Sequence, residues 1–296
     1  MANVFPTVPT NLVCQVCCET ALTAFCTVLG PLTNFTNDCS PDPIGPGKPI
    51  SVPVATGGSS TLVTPIANFE TGDTTLESRL LTPVQLSQPF HLTNEQMQQG
   101  FRIQQLALIN ALKLATAVWA RVTPLIKNSA TITNGMPTGF PVANVVTTAI
   151  GSFSPTAVGD AYGKLLCTPK HLLLDPAAMG KLMFVAGGCC FPMGGSGASG
   201  MGFQSINEHS LWGGSDLNTY GFAFCPNAIV IASGVPVTPR ECTMIEQSSV
   251  TLPGTGLTVQ FNMWCSTATR TLWASYDLMF AAVIGVPCAG VLIKSA

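Results

Sequence analysis

Charge is what this sequence has least of. Only 9% of its 296 residues are Asp, Glu, Lys or Arg, against about a quarter in an ordinary globular chain. Twelve basic residues face fourteen acidic ones for a net −2, so bulk charge provides no basic surface for nucleic acid. Mean hydropathy is +0.41, far too apolar for disorder and unusually apolar for a free monomer. Apolar surface that one subunit cannot bury is normally buried against neighbours. The composition therefore predicts an obligate assembly.

A long hydrophobic run is missing as well. The longest, residues 278–293, has sixteen residues broken by Gly285, Pro287 and Gly290, short of the ~20 a bilayer-spanning helix needs. No Lys/Arg cluster flanks it to set a topology. The opening residues lack the basic start of a signal peptide, and 14–25 carry too much Cys, Glu and Thr for its apolar core. The sequence reads as a soluble cytosolic product.

Catalytic and ligand-binding signatures are equally sparse. Of twelve cysteines, Cys14, Cys17, Cys18, Cys26 and Cys39 lie near the N-terminus, Cys189 and Cys190 are adjacent, and Cys167, Cys225, Cys242, Cys265 and Cys288 stand alone. Cys14-x-x-Cys17 looks like half a zinc site, but no second CxxC or HxxxH follows at zinc-ribbon distance. Several cysteines sit in apolar runs, where the thiol acts as a small hydrophobe. Buried free thiols are expected, and no metal. His91, His171 and His209 are scattered and offer little for a triad. Gly195, Gly197 and Gly200 complete a GxGxxG, with Asp216 at about the distance of a ribose-binding acid. The motif follows Cys-Cys-Phe-Pro-Met rather than a strand and opens no helix, so a glycine-rich loop that includes Gly194 is the better reading. Ser196 and Ser199 miss GxSxG because Ala198 and Met201 occupy the last position. Asp175 reads as a helix cap before Pro176, and Glu208 with His209 as a lone polar pair. No catalytic residue and no cofactor are nominated.

What the chain does have is residues 92–122, proline-free, with Thr93 and Gln96 spaced as a capping box and Leu92 and Met97 as a hydrophobic staple. Phe101, Leu108, Leu112, Ala115, Trp119 and Val122 recur at helical spacing, and Pro124 forbids much continuation. Such a helix would be about 45 Å long. With no second similar helix in the chain, it must be covered by sheet or by other subunits.

Around it, residues 12–28 read as a short helix after an extended lead, then a turn-rich arm runs to Lys48. Residues 50–54 alternate like a strand. Strand candidates 62–69 and 80–86 flank a polar section holding Glu70, Asp73, Glu77 and Arg79, a projecting loop that cannot make its own core. A mixed α/β unit follows: helix 155–166, buried strand 171–174, helix 176–185. The remainder is mostly strand: 221–224, 228–232, 257–266, 270–284 and 289–294. No repeat of 20–50 residues is visible.

This order resembles the major capsid protein of tailed bacteriophages. The shared features are an N-terminal helix and arm, Gly-Pro-Gly-Lys-Pro-Ile-Ser-Val-Pro-Val at 45–54, a projecting loop and a long spine helix. An α/β unit entered by His171-Leu-Leu-Leu-Asp-Pro-Ala-Ala and a strand pair at Gly221-Phe-Ala-Phe-Cys-Pro-Asn-Ala-Ile complete them. The resemblance implies an α+β Hong Kong-type phage capsid fold. Its parts would be an N-terminal arm (1–49), an extended loop (50–91), a peripheral domain with the spine helix (92–128), an axial domain (129–228), peripheral strands (229–284) and an axial end strand (285–296). It implies self-assembly as pentamers and hexamers into an icosahedral shell around non-specifically held DNA. The subunit would be made in the host bacterial cytoplasm and end in the virion capsid, with scaffolding, portal and decoration proteins as partners and no membrane. Lys48, Glu70, Asp73, Glu77 and Arg79 become candidates for contacts between subunits, and Gly194, Gly195, Gly197 and Gly200 an axial loop. Some members crosslink through a lysine in the extended loop; residues 49–112 hold none, so no such crosslink is expected. A bacterial nanocompartment shell uses the same fold. A cofactor-binding oxidoreductase, resting on GxGxxG, is the reading from another class.

Overall fold

The computed structural model describes residues 10–34, 36–38, 48–55, 76–92, 100–133, 136–184, 202–210, 218–237, 244–266 and 271–295. The helices are α1 (Thr10–Leu29), α2 (Gly100–Val122), α3 (Pro155–Lys164) and α4 (Pro176–Phe184). The strands are β1 (Thr36–Asp38), β2 (Ile50–Ala55), β3 (Leu76–Leu81), β4 (Val84–Leu92), β5 (Ile132–Thr133), β6 (Met136–Pro137), β7 (Val145–Thr147), β8 (His171–Leu174), β9 (Ser205–Glu208) and β10 (Thr219–Phe224). They continue with β11 (Ile229–Gly234), β12 (Glu246–Thr251), β13 (Thr258–Ser266), β14 (Thr271–Ile284) and β15 (Gly290–Lys294).

β14 organises the larger, six-stranded sheet. β4 and β13 both register with residues 272–277 of it, so they occupy opposite edges. β11 registers with 279–284 on the edge away from β4, in line with β13. β12 extends the sheet beyond β13, and β1 pairs in parallel with β11. The alternation of β14 sorts its side chains into two faces. Leu272, Ala274, Tyr276, Leu278 and Phe280 enter one core cluster with both long helices.

α1 and α2 lie together under that face. α1 buries Val13, Cys17, Ala21, Ala24 and Phe25, a helical stripe. α2 buries Ile103, Ala107, Ala111, Leu114, Val118 and Val122. Two aromatic tips bind the layers: Trp119 Nε1 donates to Val28 O at 2.8 Å and Tyr276 Oη to Cys17 O at 2.9 Å. The first satisfies a carbonyl in the last turn of α1, which has no partner within the helix. Both helices have the length and apolarity of a membrane span, a test that buried core helices also pass.

Four expectations change here. Leu92 ends β4 opposite Leu272, so the helix cannot include it, and the helix is described from Gly100 onward; the capping box at Thr93 and Gln96 lies outside the described residues. Ala115, Trp119 and Val122 of the expected stripe are buried, joined by Ile103, Ala107, Ala111, Leu114 and Val118 between α1 and β14, but Leu108 is 40% exposed, as is Ile109 beside it at 52%. The helix does have a helical partner, since α1 runs for 20 residues. Residues 84–92, expected at the end of the loop, are a full strand of the central sheet. The tip of the loop and the candidate strand 62–69 lie outside the described residues.

The smaller sheet runs β7-β15-β10-β8-β9. α3 packs against β7 and β15, and α4 against β10. β10 and β11, expected as a pair, belong to different sheets, and the chain steps directly from one sheet to the other at 225–228 and again at 285–289. The crossings hydrogen-bond to each other: Gly285 N to Ala228 O at 3.0 Å, Val286 N to Asn227 O at 2.9 Å, and Cys225 N to Ala289 O at 2.9 Å. Asn227 takes a positive φ of 69°, a conformation that Asn tolerates. A Cβ on Gly285 would stand 2.3 Å from Asn227 O, so only glycine allows this approach.

The thiol expectation also changes. Cys167 and Cys225 form a disulfide across 58 residues of sequence, tying the loop after α3 to the crossing. In the chain-entropy account a loop of that size contributes about 4 kcal/mol. Cys14, Cys17, Cys18, Cys26, Cys265 and Cys288 are free, but Cys26, Cys265 and Cys288 are exposed rather than buried.

Gly285→Ala is expected to force the two crossings apart and destabilise the chain by about 2–3 kcal/mol, the cost of overpacking against unyielding backbone. Urea denaturation measures it. An unchanged midpoint would show that the crossing is slack.

Candidate functional site

The histidines fall in three separate places. His171, at the start of β8, is buried and hydrogen-bonded through Nδ1 to Ser205 Oγ at 2.7 Å. Burial lowers its pKa. His209 is buried with its ring 3.9 Å from Trp119, and His91 is exposed beside Trp273. Asp175 caps α4, its Oδ2 accepting from Ala177 N at 3.1 Å. Among the described residues no group of three or more His, Cys, Asp or Glu side chains is placed to hold a metal ion. Gly194, Gly195, Gly197, Gly200 and Asp216 lie outside the described residues.

The chemistry of this chain is therefore the chemistry of its surfaces. The face of the six-stranded sheet away from the helices has two halves. Over β11 and the end of β14 sits the β2–β3 hairpin, burying Val52, Val54 and Leu81 against Val230, Ala232 and Ala281. Arg79, 1% exposed, reaches from β3 to the crossing and donates through Nε to Gly285 O at 3.3 Å. Within one subunit Arg79 is thus taken up in anchoring the hairpin. Glu77 pairs with Val54 in the hairpin register and Lys48 is exposed at its base. Glu70 and Asp73 lie outside the described residues.

The other half is polar. Asp277 is 6% exposed and accepts from Asn262 Nδ2 and Ser275 Oγ, each at 2.6 Å, and from Ser87 Oγ. One carboxylate thus joins β4, β14 and β13. The neighbouring Gln260 Oε1 and Asn262 Oδ1 are buried without partners. Next to this row Trp264 stacks on Trp273 with centroids 6.5 Å apart. Sequence reading passed over this network, although a lone acid inside the apolar run 271–284 marks it.

Clefts open at sheet edges. One of about 330 Å³ lies between α1 and β12, lined by Cys14, Cys18, Glu19, Leu22, Glu246 and Ser248. Another, of about 480 Å³, lies between α3 and β7. There Lys164 Nζ covers the β7 edge by donating to Ala143 O at 3.1 Å and Val145 O at 2.7 Å.

Burial pushes the Cys14 and Cys17 thiols up from 9.0 to about 12, with neighbouring thiols adding to it. Burial raises Tyr276 as well.

Compared with solved structures, the chain is similar to the capsid of cyanophage P-SCSP1u, with a TM-score of 0.53 at 9% identity over 90% of this chain and 88% of that one. It is similar to the capsid of Ralstonia phage GP4, with a TM-score of 0.53 at 10% identity over 88% and 86%. It is also similar to the holo-SrpI encapsulin complex from Synechococcus elongatus, with a TM-score of 0.51 at 13% identity over 90% and 86%. No protein-family model matches the chain, and no curated protein matches it in sequence. The chain has the α+β Hong Kong-type capsid fold, shared by phage capsids and an encapsulin.

The raised thiols set a pH dependence. Unfolded thiols ionise around 9.0 and the folded Cys14 and Cys17 only near 12. Between these values the unfolded state holds fewer protons, so stability falls as pH rises. It is constant below about 9 on this account, and the fall is complete above about 12. Urea midpoints at about pH 8 and about pH 10.5 check this; Cys17→Ala should flatten the decline, and an equal decline in the variant would assign it to other groups.

Proposed function

We propose that the chain is the major capsid protein of a tailed phage, assembling as pentamers and hexamers into an icosahedral shell that encloses DNA. The observation that carries this is the capsid fold over about nine-tenths of the chain. A composition with 9% charge and exposed apolar side chains such as Ile109 supports many-copy association. In this reading the six-stranded sheet with α2 is the peripheral domain, α1 is the helix of the N-terminal arm packed beneath it, and the five-stranded sheet is the axial domain near capsomer centres. Lys48, Glu70, Asp73 and Glu77 contact neighbouring subunits around the hairpin. Each such surface pair is worth about 0–1 kcal/mol, and symmetry repeats it at every subunit. Portal, scaffolding and decoration proteins are the partners of such a shell.

A nanocompartment shell is the second reading, favoured by the encapsulin among the structural neighbours. Genes for terminase and portal beside this one would indicate a phage.

Negative-stain electron microscopy beside size exclusion tests the proposal. Closed particles, or capsomers of five or six, are expected from the wild type. Asp73→Lys with Glu77→Lys should leave the circular dichroism unchanged and reduce particle yield. A wild-type monomer at every concentration would overturn the shell reading; full yield from the double variant would overturn only the role given to the loop.

A further inference from the structure

Among the described strands β12 is the outermost of its sheet. Its only strand partner among the described residues is β13. Leu252 N donates to Leu257 O at 2.8 Å, which sets the alternation of the antiparallel ladder. Ser248 and Val250 therefore turn their main-chain groups toward β13. Ser249 and Thr251 turn theirs to the other edge, which no described strand covers. Thr258 N donates to Ser233 Oγ at 3.1 Å instead of to Thr251, as this phase requires.

Exposed edges are normally blunted with Pro, Lys or a bulge because they invite strand addition. β12 reads Glu-Gln-Ser-Ser-Val-Thr and carries neither Pro nor Lys. Beside the edge lies the cleft of about 330 Å³ walled by α1, so an added strand would have a floor and one side wall. Inside it, Glu246 Oε2 is buried without a partner. Glu19 stands on the α1 wall with Gln15 Nε2 donating to it at 2.9 Å. No Lys or Arg among the described residues pairs with either carboxylate, and this calls for a positive side chain from outside.

We infer that the β12 edge and its cleft receive an extended segment of a second copy of this chain, added as a strand, with a Lys or Arg side chain directed at Glu246 and Glu19. Main-chain hydrogen bonds to Ser249 and Thr251 would supply affinity, and the carboxylates would select the register. The inference rests on the shell reading, which supplies the second copy.

Residue-resolved hydrogen exchange on the purified full chain, as subunits and as particles, tests it. The amides of Ser249 and Thr251 should exchange at least about a hundredfold more slowly in particles. Those of Ser248 and Val250 should be protected in both states. Ser249→Pro, tolerable at an edge of an isolated subunit, should keep the subunit's circular dichroism and lose particles. Glu246→Gln particles should dissociate at lower urea; an unchanged dissociation point would overturn the charge pairing. Particles in which Ser249 and Thr251 exchange at the subunit rate would overturn the inference and leave the shell reading standing. A chain that forms no particles would overturn that reading and this inference with it. Should Ser249→Pro fail to fold, the wild-type exchange rates decide alone.

Discussion

One strand of 14 residues, β14, holds the larger half of the molecule together. Its two edges are filled by β4 on one side and by β13 and β11 in line on the other. One face supplies the apolar floor for α1 and α2. The other takes the hairpin over its last turn of residues and the Asp277 network over its middle. With every edge and face used, β14 cannot shift register by one residue without exchanging Tyr276 for Asp277 in the core. That swap would bury a carboxylate among apolar side chains, which costs several kcal/mol.

From the end of β14 the chain crosses to the second sheet at Gly285. The hydrogen bonds between the two crossings and the Arg79 contact on Gly285 O link three parts at one point: the six-stranded sheet, the five-stranded sheet and the hairpin. In the proposed shell each subunit must hold such parts at fixed angles, because every subunit makes the same contacts under symmetry. Alanine-rich helix faces, a glycine-only crossing and a disulfide nearby all serve stiffness.

Much of this was legible in the sequence, for physical reasons. Residues 258–266, 271–284 and 290–294 announce themselves as strands because they are largely apolar runs with many β-branched and aromatic residues, the first following the Pro253-Gly254 turn. The Asp175-Pro176 step marks α4 through cap chemistry. The long helix was legible, and with it Ala115, Trp119 and Val122 of its buried face, but Leu108 stays exposed while the small Ala107 and Ala111 fit between α1 and β14. β4 was hidden by its prolines. Pro83 precedes it, and Pro89 sits inside it, tolerated because an edge strand can leave one N–H position unused. The pairing of Cys167 with Cys225 had no sequence signal, because spacing alone does not determine connectivity. A lone acid in an apolar run marks Asp277, but its partners on β13 and β4 emerge only once register places the three strands side by side. The β12 edge likewise became visible only when the sheet order showed which strand ends it.

A three-dimensional reconstruction of the assembled particle tests the central claim most directly. The account predicts five-stranded sheets gathered around the fivefold and sixfold capsomer axes, with the six-stranded sheets and long helices at the capsomer periphery. Particles with the six-stranded sheets at those axes, or assemblies without fivefold and sixfold capsomers, would contradict it.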